Sequence, residues 1–167
     1  EDDTEDAPWM VMGDAQFWTA TGFASTLHIY AQARHLPWYV AGMLPILYRR
    51  PGEAKTRQVA PDVFVAFVPR RVRESYDLAE ERIFPAFVLE VLSSSSATRD
   101  VVKKRGLYEA LGAREYVLFA PEPDTDGSLL SEVLGLRLLV EGERLRALDE
   151  DGRPLLTHAE SEAARVS

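Results

Sequence analysis

Phe87-Val88-Leu89-Glu90-Val91-Leu92-Ser93 is an almost unbroken apolar run with a single acid inside it. Such a run reads as a buried strand over about Ala86 to Ser93, where an ionised, unpaired carboxylate is costly to bury. Glu90 therefore needs a partner. Upstream, Val59-Ala60-Pro61-Asp62-Val63-Phe64-Val65-Ala66-Phe67 repeats the theme, an apolar strand carrying one acid. Two such acids on neighbouring strands suggest a metal.

Working outward, Ser93 to Ser96 and Thr98 form a polar loop whose hydroxyls can cap a following helix. That helix is expected over Arg99 to Leu111, with Gly112 as its stop. At about 3.6 residues per turn, Asp100, Lys104 and Tyr108 share one face. Leu107 and Leu111 occupy another. Glu115 to Ala120 reads as the next strand and closes a parallel, right-handed strand-helix-strand unit.

Toward the N-terminus, Asp14 can cap a helix from about Ala15 to Arg34, which Leu36-Pro37 ends. His28 on it and His35 at its end, seven residues apart, have no third ligand in view and read as surface or core-edge residues. Trp38 to Met43, Pro45 to Arg50 and Val59 to Val68 read as a curled antiparallel ribbon, and residues 69–85 as an exposed, partly helical excursion. Downstream, Leu129 to Val140 and Leu145 to Leu148 read as a hairpin, and Thr157-His158-Ala159-Glu160 matches a capping box. The expected organisation is an acidic tail over 1–13, a single domain over 14–156 and a C-terminal helix over 157–167.

At 167 residues and 46% hydrophobic content the chain fits one domain with a real core. With no cysteine, disulfides and thiolate metal sites are excluded. No apolar run approaches the roughly 20 residues of a membrane helix, so no membrane is expected, and a cytoplasmic location is the default. The net charge of −8 looks unfriendly to nucleic acid. Its distribution changes that reading. The first six residues hold five acids and no base, and residues 141–167 hold seven acids against four bases, whereas 7–140 balances at fifteen against fifteen. The bases there cluster at Arg49, Arg50, Lys55 and Arg57, at Arg70, Arg71 and Arg73, and at Arg99, Lys103, Lys104 and Arg105. All three clusters adjoin the acid-bearing strands, where a phosphate backbone would run. Each cluster taken alone is an ordinary solvated turn or helix face.

An Asp at the head of one strand, a Glu in the middle of the next and a nearby Lys make a recognisable chemical set. Two carboxylates with a backbone carbonyl and waters suit Mg²⁺, with Mn²⁺ as substitute. The cation polarises a phosphodiester and acidifies an attacking water, while the lysine orients that water or stabilises the developing charge.

Ala60 to Val65, Pro85 to Ser93, Asp100 through Lys104 to Tyr108, Leu111 to Tyr116 and the tail Asp126 to Leu136 together resemble the PD-(D/E)XK nuclease superfamily. Within it they resemble the Uma (type two) family of restriction endonucleases, a family expanded in bacteria, over roughly residues 38–165. The resemblance implies a restriction-endonuclease-like α/β (α+β mixed) fold, a mixed central sheet flanked by helices. It implies a Mg²⁺-dependent endonuclease with Asp62 and Glu90 as metal carboxylates and the Val91 carbonyl as a third ligand. The superfamily's strand lysine is replaced by Leu92, and the resemblance moves that role to Lys104, with Lys103 in reserve and Asp100 and Tyr108 in support. Arg70, Arg71, Arg99 and Arg105 are the expected phosphate contacts. The substrate class is nucleic acid, DNA first, and a homodimer suits cutting both strands.

Three departures stand out. The first helix has no acid for an accessory metal role and offers only Gln16 and Gln32. Ala120 replaces an aspartate before Pro121, and the path from Ala120 to Leu129 is short. The competing reading is a nuclease fold that no longer cuts and serves as a binding or self-assembly module. A third, that both acids are structural and paired with arginines, leaves the order of the motifs unexplained.

Overall fold

The computed structural model describes residues 14–92, 98–120 and 126–166. The acidic tail over 1–13, the serine loop and the segment joining Ala120 to Asp126 fall outside those residues. The central strand is β6, by chain order, at Phe87–Val91, and every position on it is buried. It is apolar throughout because both of its faces are covered. Its neighbours in a mixed sheet are β4 (Val63–Ala66), antiparallel, and β7 (Glu115–Phe119), parallel, while β1 (Tyr39–Gly42) completes the edge in the order β1-β4-β6-β7. The β6-to-β7 crossover is α3 (Thr98–Leu111), ended by Gly112 at φ 114°.

Alternation along the strands sorts the core into two layers. Val63, Val65, Phe87, Leu89 and Val91 face α1 (Asp14–Ala33), which buries Ala20, Phe23, Leu27 and Ala31 at helical spacing. That layer is shared with a second sheet, the meander β8 (Asp126–Ser131), β9 (Leu136–Glu141) and β10 (Arg144–Leu148), through Leu136, Leu138 and Ala147. Phe64, Ala66 and Val88 face the other way, onto Tyr108 of α3 and a small sheet. The small sheet orders β3 (Arg57–Val59), β2 (Ile46–Tyr48) and β5 (Tyr76–Asp77). The fold is therefore mixed α/β, as the sequence suggests. Among the described residues no helix is long and apolar enough to cross a membrane.

Three local expectations change. The ribbon is divided between sheets: β1 pairs with β4, whereas β2 pairs antiparallel with β3 and parallel with β5. Met43, at φ 54°, turns the chain between β1 and β2, and Ala60-Pro61-Asp62 breaks the second run into β3 and β4. Proline cannot donate to a ladder, so the break falls at Pro61.

Residues 69–85 are not a wholly exposed excursion. Tyr76 is fully buried and donates its hydroxyl to the Ile83 carbonyl at 2.6 Å. The Arg73 side chain, 2% exposed, pairs with Glu81 at 2.8 Å and stacks 4.2 Å over the Tyr39 ring. Glu81 belongs to α2 (Leu78–Glu81), capped by Asp77.

The run Leu129 to Val140 is two strands rather than one. Its turn, with Gly135 at φ 68°, is tied down by Glu115, which accepts from Ser131 Oγ at 2.6 Å and from the Val133 N–H at 2.9 Å. The last helix, α4 (His158–Val166), starts as the capping box predicts, with the Glu160 N–H donating to Thr157 Oγ1 at 3.2 Å.

Candidate functional site

The register of β4 against β6 puts the two acids together. Val63 faces Leu89 and Phe64 faces Val88, so one step further sets Asp62 opposite Glu90. Residues directly opposite on antiparallel strands share a face and sit about 5 Å apart at Cβ. Both are buried, at 5% and 6% exposure. Asp62 stands in the bend before β4, where its own carbonyl accepts from the Met43 N–H at 3.1 Å. Its carboxylate Oδ2 accepts from the Val91 N–H at 2.7 Å.

Two side chains from α3 close on Glu90. Tyr108, one turn beyond Lys104, donates its hydroxyl to Oε1 at 2.8 Å. The Lys104 ammonium lies 3.9 Å from the same oxygen. The predicted helical face is thus the face turned to Glu90, with Leu107 and Leu111 against the second core layer. The side chains of Arg99 and Asp100 lie outside the described residues. Lys103 is half-buried on α3, and Leu92, at the position that the resemblance gives to the superfamily's lysine, donates its N–H to the Phe119 carbonyl at 2.7 Å. Arg70 and Arg105 are exposed, and Arg71 pairs with Glu81 at 2.8 Å.

From the opposite layer, α1 brings Gln16 around the end of β6. Its Nε2 donates to the Val91 carbonyl at 2.6 Å and reaches Asp62 Oδ2 at 3.4 Å. Gln16 stands in the helix sequence only as a polar residue in place of an acid, and nothing in its periodicity points to a site. Tyr116 is a residue that the sequence reading misses altogether. It faces Val88 across the parallel β6-β7 register, so its side chain shares the face of Glu90. Its ring lies 5.2 Å from that of Tyr108, and its buried hydroxyl lacks a hydrogen-bond partner among the described residues. Strand alternation combined with the parallel register of β7 on β6, with Glu90 taken as the reference, identifies it.

The electrostatics follow from burial. Desolvation pushes the Glu90 carboxyl up to about 8, against the pull of Lys104 and with the help of the neighbouring Asp62 charge. Desolvation also raises Asp62, opposed by the Val91 N–H, Glu90, Gln16 and Lys104. Two acids side by side, both held above their ordinary range by burial, disfavour carrying both charges together. Burial, and then the Glu90 charge, drives the Tyr116 phenol upward as well.

The donor set fits a small hard cation. Asp62 Oδ2 and the Val91 carbonyl oxygen converge on one nitrogen of Gln16, and Glu90 stands opposite Asp62. Among the described residues no group of three His, Cys, Asp or Glu forms a metal cluster. Two carboxylates completed by a carbonyl and waters suit Mg²⁺, which needs no all-protein cage.

The family model "Uma2: Putative restriction endonuclease" matches residues 8–126 of the chain. The chain belongs to this family. That span contains Gln16, Asp62, Glu90, Val91, Lys104 and Tyr108, so the Uma2-family portion holds these groups that meet at the two acids among the described residues. Among solved structures, one described as a putative nuclease belonging to DUF820 from Anabaena variabilis ATCC 29413 is similar over 84% of this chain and 70% of that one. The identity is 15% and the TM-score 0.46. No curated protein matches.

Proposed function

We propose that this Uma2-family chain is a Mg²⁺-dependent endonuclease that hydrolyses phosphodiester bonds of DNA. The observation that carries the reading is the pairing of Asp62 with Glu90 at the end of β6, beside the Val91 carbonyl and under Lys104. Asp62, Glu90 and the Val91 carbonyl would hold the cation. When bound, it supplies Lewis-acid polarisation of the phosphate and a more acidic water.

The protein's own groups do the rest. The Val91 N–H fixes Asp62 Oδ2, and the Tyr108 hydroxyl fixes Glu90 Oε1, so both carboxylates are oriented before substrate arrives. Burial favours the protonated form of Glu90 near neutral pH, so Glu90 would give up that proton to serve as a ligand. The Lys104 ammonium favours the charged carboxylate and stands where it can steady an attacking water or a phosphate oxygen. Burial keeps bulk water from screening these charges. Arg70, Arg71, Arg99 and Arg105 would track the phosphate backbone, which makes binding fall with salt.

The test is cleavage of duplex and single-stranded DNA by the purified protein with Mg²⁺ or with EDTA, repeated with Asp62→Ala and Glu90→Ala. Divalent-dependent cutting by the unmodified chain, lost in both variants, is the expected result. Cleavage that survives both substitutions contradicts the assignment. DNA binding without cleavage or divalent binding favours the inactive binding module, the reading to which Leu92 in the lysine position points.

A further inference from the structure

Gln16 does more than replace an absent acid. Its Nε2 touches both the Val91 carbonyl oxygen, at 2.6 Å, and Asp62 Oδ2, at 3.4 Å. Those are two of the three oxygens assigned above to the cation. A hydrogen-bond donor and a cation seek the same thing, converging oxygens, so the amide nitrogen stands where positive charge is favoured. Gln16 is held there by a rigid element: α1 runs for 20 residues and is anchored in the core by Ala20, Phe23, Leu27 and Ala31.

A carboxamide has a donor end and an acceptor end of nearly the same shape, and a half-turn of its last torsion exchanges them. With no cation, Oε1 facing Asp62 and the Val91 carbonyl would be repelled, and Nε2 is the favoured end. With a cation between these oxygens, the preference inverts, because the nitrogen is then repelled and the oxygen is a hard neutral ligand. A neutral oxygen also adds a ligand without adding charge, leaving two carboxylates to balance a divalent ion.

We propose that Gln16 is a metal-site residue whose carboxamide caps the Asp62 and Val91 oxygens through Nε2 in the free protein and turns to offer Oε1 to the bound divalent cation. This rests on the metal-dependent reading above. It assigns to the first helix an uncharged ligand in place of an accessory acid.

The test is calorimetric titration of the full chain with Mn²⁺, using the unmodified protein, Gln16→Met, Gln16→Glu and Asp62→Asn. Methionine keeps the bulk and removes the oxygen, and thermal melts establish that each variant is folded. Gln16→Met is expected to weaken Mn²⁺ binding by about tenfold or more, as loss of a supporting group at a metal site does. Gln16→Glu is expected to tighten it, because a charged oxygen replaces a neutral one at the same place. If Gln16→Met binds Mn²⁺ as tightly as the unmodified protein, or more tightly, the amide is only a competitor for the site and the proposal is overturned while the metal site stands. If the unmodified protein binds no Mn²⁺ that Asp62→Asn abolishes, the metal-dependent reading falls and this proposal with it.

Discussion

The N–H of Val91 donates to Asp62 Oδ2 across 2.7 Å, joining the end of β6 to the bend before β4. The residue next to Glu90 thereby fixes the acid opposite Glu90. Structure and chemistry separate cleanly at Asp62 as a result. Asp62→Asn keeps an acceptor for the Val91 N–H and removes the charge, so it should abolish divalent-dependent cleavage while leaving the melting temperature close to that of the unmodified chain. Asp62→Ala orphans a buried N–H and should cost about 1–3 kcal/mol in addition. Urea unfolding of the two variants beside a cleavage assay measures both effects.

The raised Glu90 carboxyl makes the metal-free protein lose stability as pH rises. A carboxyl near the ordinary 4.5 when unfolded and about 8 when folded holds a proton in the native state that the unfolded chain gives up between those values. The contribution is complete below pH 4.5 and is lost as pH climbs through about 8. Glu90→Gln mimics the protonated form and should melt increasingly above the unmodified chain as pH rises from 5 to 8 in EDTA, by roughly 2–4 °C for each kcal/mol recovered. A constant difference across that range contradicts the buried, protonated Glu90.

Lys104 and Tyr108 meet the same Glu90 oxygen, yet they should differ in effect. Tyr108→Phe removes one oriented hydrogen bond and should lower turnover by about tenfold, equivalent to about 1.4 kcal/mol. Lys104→Met removes the charge beside the reacting centre and should cost about 10²-fold or more. Lys103→Met should stay close to the unmodified rate. Single-turnover kinetics on a defined duplex separates the three, and a larger loss at Lys103 than at Lys104 would reverse the lysine assignment.

Away from the site, Arg73 should matter to stability and not to cleavage chemistry. Its guanidinium is buried between Glu81 and the Tyr39 ring, so Arg73→Ala leaves the Glu81 carboxylate short of its main partner and should destabilise by about 3 kcal/mol. Arg71→Ala, whose largely exposed side chain meets the same Glu81 oxygen, should cost less than about 1 kcal/mol. Chemical denaturation of the two variants provides the comparison.

Much of this was legible in the sequence because hydrophobic pattern and register are local matters. One acid in each of two apolar runs is visible directly, and β6, α3 and β7 fall within a residue or two of their expected bounds. The face shared by Lys104 and Tyr108 follows from helical periodicity and is the face found at Glu90. What the pattern could not supply is pairing between distant segments. The hydrophobicity of Trp38 to Val68 says strand, but only the positive φ of Met43 and the break at Pro61 divide that region between two sheets. Arg73 reads as one more surface base until Tyr39 and Glu81 close around it. Gln16 is 46 residues from Asp62 and 75 from Val91, and no spacing rule links them. The serine loop and the side chains of Arg99 and Asp100 lie outside the described residues.

The central claim is that Asp62, Glu90 and the Val91 carbonyl hold a divalent cation. A crystal of the full chain soaked in Mn²⁺ and measured for anomalous scattering tests it most directly. A single strong peak between the Asp62 and Glu90 carboxylates, at about 2.0–2.2 Å from their oxygens, is the predicted result. The two carboxylates free of anomalous density at saturating Mn²⁺ would contradict it.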